Sequence, residues 1–321
     1  MLRSTPGLSK GRAVALACIQ NRTSQMVSTY AAEWQTFVAK KEAEAVSASL
    51  WPLTTEIDEH PAGALAIGND WTRRMFDGDF YVSAPTAPDV PSTSLVFVQS
   101  RDGNTGAGNP STLGGGDTDK HLIYEGLSRV AADAVMAGAK TIRGGRIVLS
   151  AWHPELVALR ARLGLPRHPI QIVATLRGMP FDGSLLLNVP DLRVVLLTIP
   201  SWLALMHDQL VSRPWVTPVL MDTPDDLAGA FRQLRRLGIE RISCIGGRTL
   251  ARQLIDAGLI HELNLTTSAK AAGEPDTPLY PTPIEAPVIV RKRGMGPEAG
   301  IVFEQLNLAG WRPSTRPSSP T

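Results

Sequence analysis

Residues 241–258, RISCIGGRTLARQLIDAG, decide how this chain folds. A strand-like run, RISCI, stops at the adjacent glycines Gly246 and Gly247; a helix-like run, RTLARQLIDAG, starts at Arg248 and stops at Gly258. Each glycine loses more backbone freedom on folding than any other residue. A pair of them at a turn that any residue could make points to something approaching the backbone closely. In an open sheet of parallel strands, ligands gather outside the carboxyl ends of the strands, where the following helices begin. Unpaired amides and the helix dipole attract an anion there, at about 0.3–1 kcal/mol for each favourable charge. Thr249 can add a hydroxyl and Arg248 a positive charge. The same two glycines also suit a tight strand-to-helix turn with no ligand, since the pattern is neither a Walker A loop nor G-x-G-x-x-G.

Working outward from this stretch, strand and helix patterns alternate. SLVFVQS (94–100), ADAVMAG, RIVLS, PIQIVATL, LRVVLLT and TPVLMD read as strands. A helix around 118–129, HPELVALRARLG, SWLALMHDQLV and PDDLAGAFRQLRRLG read as helices. The last of these carries Pro224 and two acids at its start and Gly238 at its end, which are start and stop signals. HELNLTT, APVIVRKR and GIVFEQLNL close the chain with strands. Strands alternating with helices imply an α/β fold with a mixed, mostly parallel sheet between helical layers, and consecutive strands at the end imply antiparallel additions.

Residues 24–50 contain neither Gly nor Pro and predict a helix. Trp71, Phe76, Phe80 and Tyr81 then crowd together as an arm that packs on apolar surface elsewhere, covers a substrate or meets a second subunit. Pro85, Pro88 and Pro91 mark an extended connector. These features divide the chain into an N-terminal extension (1–90), a main domain (91–310) and a disordered tail (311–321).

Composition narrows the function classes. The 321 residues carry 32 Lys and Arg against 30 Asp and Glu, a net charge of +2, so no field gathers nucleic acid. The apolar fraction of 43% supports a substantial core. No apolar run approaches the roughly 20 residues that span a bilayer. Cys18 and Cys244 stand alone. They form no disulfide framework or zinc site, which predicts a reduced, cytoplasmic setting. His60, His121, His153, His168, His207 and His261 show no metal-ligand spacing.

Three stretches occur in the order and spacing of one family: FVQSRDGNTG (97–106), LSRVAADAVMAGAKTIR (127–143) and ISCIGGRTLARQLIDAGLIHELNLT (242–266). They resemble the reductase domain of the bifunctional riboflavin-biosynthesis deaminase/reductase, a relative of dihydrofolate reductase. The family patterns are approximately S-L-D-G, L-R-A-x-A-D-A-V-L-V-G-A-x-T, and V-E-G-G-x-T-L followed by L-V-D-E-L. The resemblance covers roughly residues 93 to 308 and implies a three-layer αβα fold, NADPH as cofactor, a small-molecule substrate and a homodimer.

It also implies roles for single residues. Gly246, Gly247, Arg248, Thr249 and Leu250 match the segment that holds the cofactor pyrophosphate, and Thr141 matches a threonine that contacts the cofactor. Ser100, Asp102 and Gly103 match the turn beside the nicotinamide and substrate; Asp102 is then either the proton source or a local turn residue. Arg129 falls on the arginine that meets the substrate's ribose phosphate, a role suited to its planar fork, although a surface arginine at a helix end reads nearly as well. Arg143, close behind Thr141 and followed by Arg146, either favours the 2′-phosphate of NADPH or is, like Arg146, a solvated loop charge.

The chain departs from the family in specific places. Ile245 stands at the substrate-facing position of the family glutamate and offers no hydrogen bond. His261 replaces the aspartate of D-E-L. Nothing resembles the zinc motif of a deaminase. The loop GNTGAGNPSTLGGGD (103–117) suits either a lid over the site or a disordered surface loop. The expectation is a reductase delivering hydride to an imine, ribosylamine or related heterocycle; the alternative is a catalytically silent NADP-binding protein of the same fold.

Overall fold

A computed structural model describes residues 29–85, 87–143 and 146–312. Twelve strands form among the described residues: β1 Leu53–Asp58, β2 Leu65–Ile67, β3 Phe80–Val82, β4 Ser92–Gln99, β5 Ala134–Gly138, β6 Ile170–Ala174, β7 Val194–Thr198, β8 Val216–Leu220, β9 Arg241–Cys244, β10 Glu262–Thr267, β11 Val288–Gly294 and β12 Val302–Asn307. Ten of them make one sheet in the order β1-β11-β12-β10-β4-β9-β5-β6-β7-β8, while β2 and β3 pair separately. From β10 to β8 every neighbouring pair is parallel. β12, β11 and β1 add antiparallel at one side. The parallel strands therefore end at a common edge, and the chain reverses its order around β4. It runs outward through β5 to β8, then returns to place β9 and β10 on either side of β4.

Apolar runs set this arrangement. Leu95, Phe97, Met136, Ile242, Cys244 and Leu263 face the helices Leu227–Arg236 and Arg248–Asp256 in one buried cluster. Residues of opposite parity, such as Val135, Ala137, Val173 and Leu196, fill a second cluster on the other face. The helix Leu227–Arg236 begins later than Pro224 suggests, because the Asp226 side chain accepts from Gly229 N at 2.9 Å and caps it.

Three expected elements take another form. RIVLS is not a strand of the sheet; the Gln171 side-chain amide pins it instead, accepting from Leu149 N at 2.9 Å and donating to Leu149 O at 2.8 Å. SWLALMHDQLV divides into Pro200–Leu205 and His207–Val211 at the buried Met206. The helix expected around 118–129 is a single turn, Gly116–Thr118, continued by a π-helical stretch, Asp119–Leu127.

The extension is stitched into the same body. A helix over 29–46 buries Trp34, Phe37 and Ala45 in the second cluster. β1 pairs with β11, and Phe76 and Phe80 are fully enclosed. Much of the tail expected to be disordered, from residue 313 on, lies outside the described residues, as does Cys18. Trp311 packs edge-on against Tyr280 and donates to Glu285 O at 3.0 Å. Among the described residues no helix is long and apolar enough to cross a membrane.

Candidate functional site

The glycine turn sits at the carboxyl edge of the central strands. Ile245 N donates to Met136 O at 3.0 Å, and Gly138 N meets Gly246 O at 3.4 Å, so the turn stays registered against the end of β5 as it leaves β9. Both glycines adopt left-handed backbone, with φ +95° at Gly246 and +75° at Gly247. Their surroundings differ. A Cβ on Gly246 would stand 2.8 Å from the Phe97 ring, whereas one on Gly247 would meet nothing nearer than the Thr141 hydroxyl at 3.8 Å. Gly246 is required by packing. Gly247 is exposed, caps the helix Arg248–Asp256 without side-chain help, and leaves an open cradle beside Thr141.

That cradle fits a phosphate. Free amides at the helix start, a glycine surface without a Cβ and a hydroxyl across the gap make a donor set suited to an anion. Thr249 is exposed and Leu250 is buried against the core. Arg248 is half-buried, 3.7 Å from the exposed Glu274. Arg143 is exposed, and one of its guanidinium nitrogens donates to Gly178 O, which anchors the side chain and leaves it further N–H donors. Arg146 pairs with Glu33 of the N-terminal helix at 2.8 Å.

At the end of β4, Ser100 is buried and its hydroxyl donates to Asp102 Oδ1 at 2.5 Å, while Asn104 Nδ2 donates to Asp102 Oδ2 at 2.9 Å. Gly103 N closes the turn on Ser100 O at 2.9 Å. The Ser100 hydroxyl holds the Asp102 carboxyl below its usual range, so Asp102 is a poor proton donor near neutrality and its geometry is that of a turn. The glycine loop that follows is tied down at Thr105 and Gly106 by Glu274 and Thr277.

Arg129 is not brought to this edge. It lies just before the start of β5, at the amino-terminal edge of the sheet, buried, with Nη1 donating to Ser150 O at 2.7 Å. Its backbone oxygen accepts from the buried Arg160 at 2.9 Å. This is a structural arginine knitting the helix end to the loop 149–153, at the edge of the sheet opposite the glycine turn. Two cavities also open at the amino-terminal edge: about 40 Å³ among Ser92, Ser94, Ser128, Arg241 and Glu262, and about 250 Å³ beside Arg193 and Trp215.

The residue that sequence reasoning missed is Asp119. It is the first residue of the π-helical stretch, 6% exposed, and its Oδ1 accepts from the Thr266 hydroxyl of β10. Burial pushes its carboxyl up to about 7, with the nearby Glu298 adding to the effect and Thr266 opposing it. Its one sequence signal is an acid directly after GGGDT, which nothing local distinguishes from Asp117.

An open, mostly parallel sheet whose strand order reverses beside a glycine turn at the carboxyl edge defines an α/β protein of the class that gathers its ligands at that edge. The sequence matches the family described as RibD C-terminal domain over residues 91–295, and the chain belongs to that family of reductases. A pyrimidine reductase-like protein from Corynebacterium diphtheriae shares the fold, with TM-score 0.53 and 20% identity over 68% of this chain and 91% of that one. RibD from Acinetobacter baumannii gives TM-score 0.50 and 15% identity over 68% of this chain and 58% of its own longer chain. No curated protein sequence matches this one significantly.

Proposed function

We propose that this protein is an NADPH-dependent reductase that delivers hydride to a ribosylamine, imine or related heterocycle, with 5-amino-6-(5-phosphoribosylamino)uracil the first substrate to test. The observation that carries the reading is the Gly246-Gly247 turn, where one glycine is fixed by packing and the other leaves an open anion cradle facing Thr141. In this reading Gly247, Arg248 and Thr249 hold the pyrophosphate, Thr141 adds a hydroxyl, and Arg143 meets the 2′-phosphate with donors not used on Gly178 O. The bound dinucleotide supplies the hydride, and the chain supplies orientation and exclusion of water. Ser100 and the Asp102 turn shape the end of β4 beside the reacting carbon. Asp102 stays ionised and does not move a proton.

A second reading is a silent NADP-binding protein of the same fold. Ile245 supports it, since it removes the carboxylate with which the family addresses substrate, and so does Arg129, which is spoken for by Ser150 O. One experiment separates the two: loss of NADPH absorbance with the phosphoribosylaminopyrimidine, beside thermal-shift titrations with NADPH and NADH. Turnover with NADPH supports the reductase; stabilisation by NADPH without turnover supports the silent binder. Failure of either dinucleotide to stabilise the protein rejects both.

A further inference from the structure

The edge of a sheet carries a row of backbone N–H and C=O groups with which another strand can pair, a second copy of the same chain included. We propose that the N-terminal extension is a built-in partner strand: β1 occupies the edge of β11 that a second copy would otherwise extend, and the chain is a monomer. Contacts within one chain then take the place of the homodimer that the family resemblance implies.

The backbone of β11 is spent on β1. Gly294 N donates to Ile301 O at 2.9 Å, so Gly294, Lys292 and Val290 turn their polar groups toward β12. Arg293, Arg291 and Ile289 turn theirs the other way. β1 meets them there, with Thr54 opposite Arg293, Ile57 opposite Arg291, and Glu59 N donating to Ile289 O at 2.7 Å.

The side chains of β11 are spent on the extension as well. Lys292 is 2% exposed, and its Nζ donates to Thr55 Oγ1 at 2.8 Å and to Asp77 O at 3.2 Å. The same ammonium lies 4.3 Å from the centre of the Phe76 ring. Arg293 pairs with Glu56 at 2.6 Å. Thr55, Glu56, Phe76 and Asp77 all belong to the extension. Without it the Lys292 ammonium loses both oxygen partners, and an uncompensated charge at a strand edge disfavours pairing with another strand.

With β1 in place, both outer edges of the ten-stranded sheet resist pairing. On β1 the outward Thr55 N donates to Asp77 Oδ2 at 2.9 Å, and the register shifts between Thr55 and Ile57. Glu56 and Asp58 add exposed charge there. On β8, Val194 N donates to Trp215 O and Met221 N to Thr198 O. Thr217 and Val219 therefore turn toward β7, while Val216, Pro218 and Leu220 turn outward. Val216 N is taken by Arg213 O at 2.9 Å, Pro218 has no N–H, and Leu220 O accepts from Gln233 Nε2 at 2.7 Å. Bulges, charges and edge prolines are the devices that keep strands from adding to a sheet.

The full chain tests this without cofactor or substrate. Light scattering behind size exclusion should give the mass of one chain across about a hundred-fold range of concentration, with a melting temperature that does not move with concentration. Hydrogen exchange should be slow at Ile57, Glu59, Arg291 and Arg293 in that single chain. A mass of two chains, or exchange at β1 as fast as in an exposed loop, overturns the proposal. Asp77→Ala together with Lys292→Met removes the lock on β1; it should bring fast exchange there and association that rises with concentration. Fast exchange with the mass of one chain overturns the blocking role of β1, and exchange that stays slow overturns the claim that Asp77 and Lys292 hold it. If the double variant does not fold, Asp77→Ala alone carries the same test.

Discussion

Replacing Gly246 and Gly247 separately with alanine should split stability from binding. At Gly246 two costs combine. A left-handed backbone at φ +95° costs an alanine about 1–2 kcal/mol. A Cβ 2.8 Å from the buried Phe97 ring adds overpacking of about 1–3 kcal/mol. The total of about 2–5 kcal/mol, at roughly 2–4 °C per kcal/mol for a chain of 150–250 residues, lowers the melting temperature by about 4–20 °C. Gly247→Ala meets no neighbour closer than 3.8 Å and carries only the backbone cost, about 1–2 kcal/mol. Its methyl group, however, fills the cradle. Losing one charge-assisted amide contact costs about 1.5–3 kcal/mol, which weakens NADPH roughly 10–100-fold. Thermal unfolding without ligand and fluorescence titration with NADPH measure the two effects. The reasoning is refuted if G247A binds NADPH like the wild type, or if G246A unfolds no earlier than G247A.

Arg129→Met should lower stability by about 2–3 kcal/mol in urea unfolding, since a buried guanidinium bond to Ser150 O is lost, and should leave NADPH affinity unchanged. His153 and His168 are both pushed down to about 4, chiefly by burial, so the unfolded chain takes up protons there before the native one does. Stability from these groups is complete above about pH 6.5 and is lost as pH falls toward 4; a melting temperature that stays flat across that window contradicts this. Asp119 works in the opposite sense. Its raised value means the native state keeps a proton that the unfolded chain releases, so stability declines as pH climbs from about 4 to 7. D119N should therefore gain on the wild type across that range in pH-dependent unfolding.

Local chemistry made much of the frame legible. SLVFVQS overlaps β4, and PIQIVATL and LRVVLLT contain β6 and β7, because short apolar runs bounded by polar residues have few other buried forms. The glycine pair was legible for the same reason: a left-handed turn is written in the residues that make it. What stayed hidden depends on contacts between distant positions. Asp119 acquires its character from burial beside β10, where Thr266 holds its carboxyl, an enclosure that only the folded sheet creates. RIVLS has the pattern of a strand, but Gln171 from β6 satisfies its backbone in place of a neighbouring strand. The aromatic arm reads as packing or contact surface from sequence; the pairing of β1 with β11, which ties the extension to the sheet, follows from register and not from composition.

The departure at position 245 and the N-terminal helix have one physical explanation. Ile245 leaves the end of β9 with its side chain against the cluster of Val135, Ala137, Ile142 and Trp152. Trp34, Phe37 and Ala45 of the helix over 29–46 complete that cluster, with Trp34 and Phe37 edge-on to Trp152. The family match begins at residue 91, so this helix lies outside the shared domain. A glutamate at 245 would meet apolar side chains here, and a carboxylate without a partner in such a place costs several kcal/mol or gives up its charge. Isoleucine adds to the burial that holds the extension down. Ile245→Glu should therefore destabilise the full chain in thermal unfolding without creating a reductase of higher rate. Trp34→Ala with Ile245→Glu should cost less than the sum of the two changes, because the single cluster they share is already opened by either one. Strict additivity of the two would mean that the extension and position 245 are independent.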